Sequence, residues 1–317
     1  MAPRPDKVSV ENSGVHARDV LRFVAGTREG NGCALIVVTS TEGGGVRAPG
    51  AIMAVRADGA ACGYVSNGCV DADVVAQACA AMDEGTVRHV RYGTGSPFKD
   101  VRLPCGGAID LAIVPNPPAG VIEEASDALA ARRPAHLAVD DNGLSRPDDL
   151  APREGAFVFI CTPPMKIRIA GRGEEPLAMA RLGAAAGFDV FVQSPDAACL
   201  SAAGSIGAAT APLVTPGTAL QSYDDPYTAV VLMFHDHDWE VGLLKEALSG
   251  PAFYVGALGS RRTHAARCEA LRLAGASAQN IERINAPIGL VPRTREAPML
   301  AASTLAEIVA AWQEAFA

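Results

Sequence analysis

The sequence predicts an α/β chain in two parts, an N-terminal α+β domain followed by a C-terminal doubly wound parallel sheet. Three observations predict it. The chain has 317 residues, beyond the usual size of one domain. Its composition is 49% hydrophobic, 20% charged and only 5% aromatic, as in layered α/β proteins rather than disordered chains. Past Ala156 the apolar runs also change, from clustered strands to strand and helix in alternation.

In the N-terminal half, residues 32–41 read as a buried strand. Residues 51–56, the turn Asp58-Gly59 and residues 62–65 read as a hairpin, so the chain opens as a meander. A helix is predicted over 70–82 and ended by Gly85, with strands at 87–91 and 108–114. Pro115 to Pro118 break the chain, after which 121–133 reads as helix and 135–139 as strand. The polar, turn-rich stretch that follows reads as a linker, giving domains at 1–140 and 165–317 with 141–164 between them.

In the C-terminal half, strands are predicted at 166–170, 189–193, 228–234 and 253–257. Helices follow at 174–186, near Asp196, at 239–248 and at 261–273, and a last helix over 298–316 packs on the sheet. This alternation is Rossmann-like.

A net charge of -8 without a Lys/Arg cluster argues against a nucleic-acid partner. The first residues carry no apolar signal core and no apolar run is long enough to span a bilayer, so a cytoplasmic protein without membrane contact is expected. Eight cysteines without a CxxC pair point to thiols rather than disulfides or a zinc ribbon.

Several motifs carry chemistry. Gly171-Arg172-Gly173-Glu174-Glu175-Pro176 follows a strand and opens a helix, the setting of a phosphate-cradling loop. Its alternative is a turn that serves only chain reversal. A nicotinamide site usually sets an acidic residue at the end of the second strand, where this chain has Gln193-Ser194-Pro195-Asp196, and Asp196 suits a helix cap equally well. His235 and His237 stand where a strand meets a helix and would share a face if the strand persisted; the alternative to a metal pair is Asp238 capping the helix. Gly259-Ser260-Arg261-Arg262 offers a hydroxyl and two guanidiniums at a second glycine turn, suited to an anion, or else solvated arginines on a helix start. Cys69 opens a predicted helix, whose dipole favours the thiolate, and Cys105 sits beside Gly106-Gly107. Both suit a soft metal or sulfur transfer, with a core role as the alternative, whereas Cys33 and Cys79 fall on apolar faces.

Taken together, these residues resemble the XdhC/CoxI family. The most specific segments are 254–262 (YVGALGSRR), Ala286-Pro287-Ile288-Gly289-Leu290, the stretch at His235, and Leu305-Ala306-Glu307-Ile308. The resemblance spans nearly the whole chain and implies an XdhC/CoxI-type α+β domain ahead of a Rossmann domain. It implies a non-catalytic maturation factor that binds molybdenum cofactor (molybdopterin) and supports its sulfuration with a cysteine desulfurase. Delivery to a xanthine-dehydrogenase-type molybdoenzyme would follow. In a cleft between the domains, Cys69 and Cys105 would approach the metal-dithiolene end of the pterin. Gly171, Gly173, His235, Gly259, Ser260 and Arg261 would then hold the rest of the cofactor, its phosphate above all. The family's glycine-glycine-cysteine loop is Asn67-Gly68-Cys69 here, Glu174 stands where histidine is common, and the loop 42–49 is richer in glycine. The rival readings are an NAD(P)-dependent oxidoreductase and a cofactor-free adaptor of a molybdoenzyme. A homodimer is compatible with the sequence, though no residue pattern demonstrates it.

Overall fold

The computed structural model describes residues 10–12, 16–27, 32–43, 47–96, 103, 106–147, 155–216, 224–235 and 237–316, with only the backbone of 10–12 and His237. It divides into two compact units, Met1–Pro163 and Pro164–Ala317. Cys105 and Asp236 lie outside the described residues.

The first unit runs β1 (Val10–Asn12), α1 (Ala17–Ala25), β2 (Cys33–Glu42), β3 (Ile52–Arg56), β4 (Ala61–Cys62), α2 (Asp71–Glu84), β5 (Arg88–Gly93), β6 (Ala108–Pro115), α3 (Ala119–Ala130), β7 (Ala135–Asp140), β8 (Gly143–Ser145) and β9 (Phe157–Cys161). Its larger sheet has the order β1-β4-β3-β2-β6-β5, and β2 pairs antiparallel with both β3 and β6. Since side chains alternate along a strand, the apolar run of β2 serves two cores. Cys33, Leu35 and Val37 pack with Val20 and Leu21 of α1 and Ile122 and Leu129 of α3, whereas Ala34, Ile36 and Val38 pack with Val74, Val75 and Ala78 of α2. A slip of one residue would exchange the two sets and misfit both.

Helix α1 had no counterpart in the sequence reading, although Val20, Leu21 and Val24 form its buried stripe. The stretch 141–164, read as a linker, contains β8 and β9, which flank β7 in an antiparallel sheet of order β8-β7-β9. The physical reason is the alternation of β9: Phe159 and Cys161 turn into the core with Leu137 and Val139, while Val158 and Ile160 face outward. The expected strand 62–65 shortens to Ala61–Cys62. Beyond it the chain turns into the loop ahead of α2.

The second unit runs β10 (Lys166–Gly171), α4 (Glu174–Ala185), β11 (Asp189–Ser194), α5 (Ala197–Ser205), β12 (Ala209–Pro212), β13 (Thr228–Met233), a 3-10 turn (His237–Trp239), α6 (Glu240–Ser249), β14 (Tyr254–Ala257), α7 (Arg261–Leu273), α8 (Ala278–Glu282), β15 (Ile284–Asn285) and α9 (Ala297–Phe316). Every pairing in its sheet is parallel, in the order β12-β11-β10-β13-β14-β15. The order reverses between β10 and β13, which makes their carboxyl ends the switch point at which such sheets bind ligands. One face packs Ile167 and Ile169 against Met179 of α4 and Leu300, Ala301 and Ile308 of α9; the other packs Val230 and Leu232 against Leu244 of α6 and Leu271 of α7.

Arg168 crosses this second face wholly buried, 2.8 Å from Asp224 and 2.9 Å from Glu246, and reaches Gln193 Oε1 at 3.3 Å. It ties β10 to β11, to α6 and to the segment ahead of β13. Burial holds the Asp224 carboxyl above its ordinary range despite the guanidinium. A raised carboxyl binds its proton more tightly in the folded chain, so its contribution to stability is full at acid pH and is lost as pH rises through the folded value. Arg168→Met is expected to cost about 3–5 kcal/mol near neutral pH, because the buried Asp224 side chain and the partly buried Glu246 lose the guanidinium they share. That deficit should shrink as pH falls and Asp224 takes up a proton, which urea unfolding at several pH values would measure.

Candidate functional site

At the switch point, β10 ends on Gly171. A Cβ there would lie 2.6 Å from the Met233 carbonyl oxygen, so only glycine lets β10 and β13 close at this level. The Arg172 N–H donates to that oxygen at 3.4 Å, which draws one loop amide toward the sheet. Gly173 has φ 84° and caps α4, whose first turn carries Glu174 and Glu175 with Pro176 buried behind them. These carboxylates suit the helix dipole and oppose a bound phosphate. Across the switch point His235 Nε2 stands 3.2 Å from Glu175 Oε1, so the first turn of α4 and the chain after β13 meet in an imidazole–carboxylate pair at the mouth of the crevice. Strand β13 stops at Met233, so the strand that was to set His235 and His237 on one face does not extend to them. Asp238 lies in the 3-10 turn that leads into α6, whose N-cap residue Trp239 makes no side-chain capping bond. Among the described residues no group of three His, Cys, Asp or Glu side chains could hold a metal ion.

The turn after β14 is built differently. Gly259 has φ 138°, and a Cβ there would come 2.7 Å from Thr263 Cγ2. Ser260 caps α7 by accepting the Thr263 N–H at 3.1 Å, so its hydroxyl is engaged in shaping the turn. Arg261 and Arg262 then project exposed from the first turn, and among the described residues neither makes an ion pair. The turn is held from below by Arg267, a residue the sequence reading passed over. Its guanidinium donates to both oxygens of Glu240, at 3.1 and 2.8 Å, and to the Leu258 carbonyl at 2.6 Å, with both side chains buried. A charged residue in register with Leu271 on the buried face of α7 was the available signal. Ser194 is buried and accepts the Asp196 N–H at 3.1 Å, while Asp196 accepts from Ala198 at 2.9 Å as the cap of α5. The position where a dinucleotide site keeps an acid for the ribose is thus occupied by capping bonds.

In the first unit Cys69 is exposed on the loop into α2. Asp71 organises that loop: its carboxylate accepts the N–H groups of Val65 and Ser66 at 3.0 Å each and of Gly68 at 2.5 Å, while Ser66 Oγ accepts the Val70 N–H at 2.8 Å. Asn67 takes φ 58°, a left-handed value that asparagine tolerates better than most residues. Asp71 and Asp73 share the first turn, so the helix end offered to Cys69 also carries two carboxylates. On the neighbouring strands Arg91 bridges Glu42 and Asp110 at 2.7 Å each and fixes the strand ends beside Gly106 and Gly107. Cys105, expected beside Cys69, lies outside the described residues. Cys33 is a core thiol pushed up to about 11 by burial, and burial raises Cys79 in the same sense.

Asp71→Asn would place an amide donor against N–H groups that now face a carboxylate. The expected result is a loss of about 1–3 kcal/mol with faster amide exchange at residues 65, 66 and 68. Exchange measured by NMR at those positions, with α9 as an internal standard, checks it.

The family described as "XdhC and CoxI family" matches residues 27–93, and "XdhC Rossmann domain" matches residues 167–308. The molybdenum cofactor insertion chaperone PaoD of Escherichia coli (strain K12) is 36% identical over 299 residues, covering 92% of this chain and 87% of that protein. A solved structure described as a xanthine dehydrogenase from Bacillus halodurans superposes with a TM-score of 0.75 at 20% identity, over 94% of this chain and 96% of that one, and so shares the fold. With both family regions matched in order and a relative at this identity along nearly its whole length, the chain belongs to the XdhC and CoxI family.

Proposed function

We propose that this chain is a molybdenum cofactor chaperone that receives the cofactor, protects it and delivers it to a xanthine-dehydrogenase-type molybdoenzyme. The observation that carries the reading is the 36% identity, across 92% of the chain, to a protein named as a molybdenum cofactor insertion chaperone. The site chemistry fits such a cargo. Arg261 and Arg262, exposed on the first turn of α7 beside the Gly259-Ser260 turn, suit the phosphate of a pterin. The imidazole of His235, paired with Glu175, offers a hydrogen-bonding group at the crevice mouth. The exposed thiol of Cys69, and Cys105 with it, offer soft ligands to the metal-dithiolene end. Gly171 and Gly173 let the backbone approach closely. Sulfuration of the cofactor would come from a cysteine desulfurase acting on the loaded chaperone in the cytoplasm.

The parallel order of the second unit keeps one rival in view, a nicotinamide-dependent oxidoreductase. The buried Ser194 and the capping role of Asp196 speak against it. For the chaperone, Arg261→Ala is expected to weaken retention of molybdopterin at least about tenfold, by removal of a charge-assisted contact. Cys69→Ser should lower retention at an unchanged melting temperature. Pterin content after gel filtration checks both. Wild-type retention in both variants, with NAD(H) or NADP(H) raising the melting temperature of the parent chain, would favour the oxidoreductase.

A further inference from the structure

Two of the segments that carry the family resemblance meet in space and together present an apolar tip. β15 is parallel to β14, so the chain leaving Asn285 emerges at the carboxyl edge of the sheet, the same edge as Gly171, His235 and the Gly259-Ser260 turn. The segment 286–291 is then fastened to α9. The Gly289 N–H donates to the Glu307 carboxylate, the Leu290 N–H to the Ser303 carbonyl at 3.3 Å, and the Val291 N–H to Ser303 Oγ at 2.7 Å. Gly289 has φ 100°, and a Cβ would come 2.8 Å from Ser303 Oγ, so loop and helix approach as closely as a missing side chain allows. Ile288 is buried in the core below.

A loop so firmly held would ordinarily turn its apolar side chains inward. Here Leu290 and Val291 are 59% and 56% exposed, and Met299, one helical turn before Ser303 on the same face of α9, is 58% exposed. Beside them stand Arg293 and Arg295, exposed and without an ion pair among the described residues, with Glu296 as their acidic neighbour. On a chain of net charge -8, this places an apolar tip with guanidiniums beside it on the same sheet edge as the arginine-bearing turn after β14. A rigid apolar anchor with arginines at its rim is the composition of a protein-recognition hot spot, and its ordering cost is already met in the free chain.

We propose that Leu290, Val291 and Met299, flanked by Arg293 and Arg295, dock on a protein face that offers an apolar pocket rimmed by carboxylates. The occupant is the cofactor-free molybdoenzyme. This step rests on the chaperone reading, and it places the docking face on the same edge of the sheet as the candidate ligand loops, so that the receiving protein is bound where the cargo is released.

The test uses the full chain and the xanthine-dehydrogenase-type enzyme of the same genome, purified from cells unable to make molybdenum cofactor. Leu290→Asp with Val291→Asp is expected to weaken binding of this apoenzyme at least about tenfold. Its melting temperature and pterin content should match those of the parent. Arg293→Glu with Arg295→Glu should slow association and flatten its salt dependence. Parent-like apoenzyme binding in both variants overturns the proposal, as does a parent chain that does not bind the apoenzyme. Loss of pterin with apoenzyme binding kept would reassign the tip to the ligand site, and a change from dimer to monomer with unchanged apoenzyme affinity would reassign it to self-association; either overturns the proposal. Apoenzyme binding that depends on the tip, in a chain that never holds pterin, would support the docking face while removing the cofactor-carrying reading.

Discussion

The buried pair of Arg267 and Glu240 is the interaction on which the candidate ligand edge depends. Two loops that leave neighbouring parallel strands have no ladder to fix their relative height once the strands end. Arg267 supplies the missing connection from α7, with two bonds to Glu240 at the start of α6 and one to the Leu258 carbonyl at the end of β14. A buried ion pair adds little net stability over an apolar pair of the same shape, but its fork geometry admits one arrangement. The exposed Arg261 and Arg262 therefore stand on a turn whose backbone is braced from below.

The same division of labour recurs elsewhere in the chain. Asp71 gathers three backbone N–H groups so that the loop carrying Cys69 has a defined course while the thiol remains exposed. Glu307 and Ser303 do so for the loop of Gly289, leaving Leu290 and Val291 in solvent. In each case polar side chains of a helix organise a loop backbone, and the residues suited to contact another molecule are the ones the fold leaves unused. Such preorganisation reduces the ordering cost that binding would otherwise carry.

Much of this was legible in the sequence, and the remainder was hidden for physical reasons. The parallel sheet announced itself because buried strands such as β13 are unbroken apolar runs set between helices, and the predicted helix over 261–273 coincides with α7. β8 and β9 escaped because short strands at a polar segment are selected by pairing with β7, a tertiary event, rather than by local propensity. α1 escaped through neglect of a visible stripe at Val20, Leu21 and Val24. At the site, the glycines and Ser260 were readable because turns demand particular residue types. The roles of Arg267, Asp71 and Glu307 were not, because a buried charge is identified by its partner, and the partners stand 27 residues away for Arg267 and 18 for Glu307.

In the proposed carrier, the contacts to the cargo are the side chains that the carboxyl edge of the second unit leaves exposed, Arg261 and Arg262 above all. The most direct measurement is molybdenum and oxidised pterin per chain, in protein purified in parallel from cells able and unable to synthesise the cofactor. A chaperone predicts close to one pterin per chain in the first preparation, none in the second, and transfer of that pterin to an apo-molybdoenzyme on mixing. No pterin in the first preparation, and none taken up when free cofactor is supplied, would contradict it.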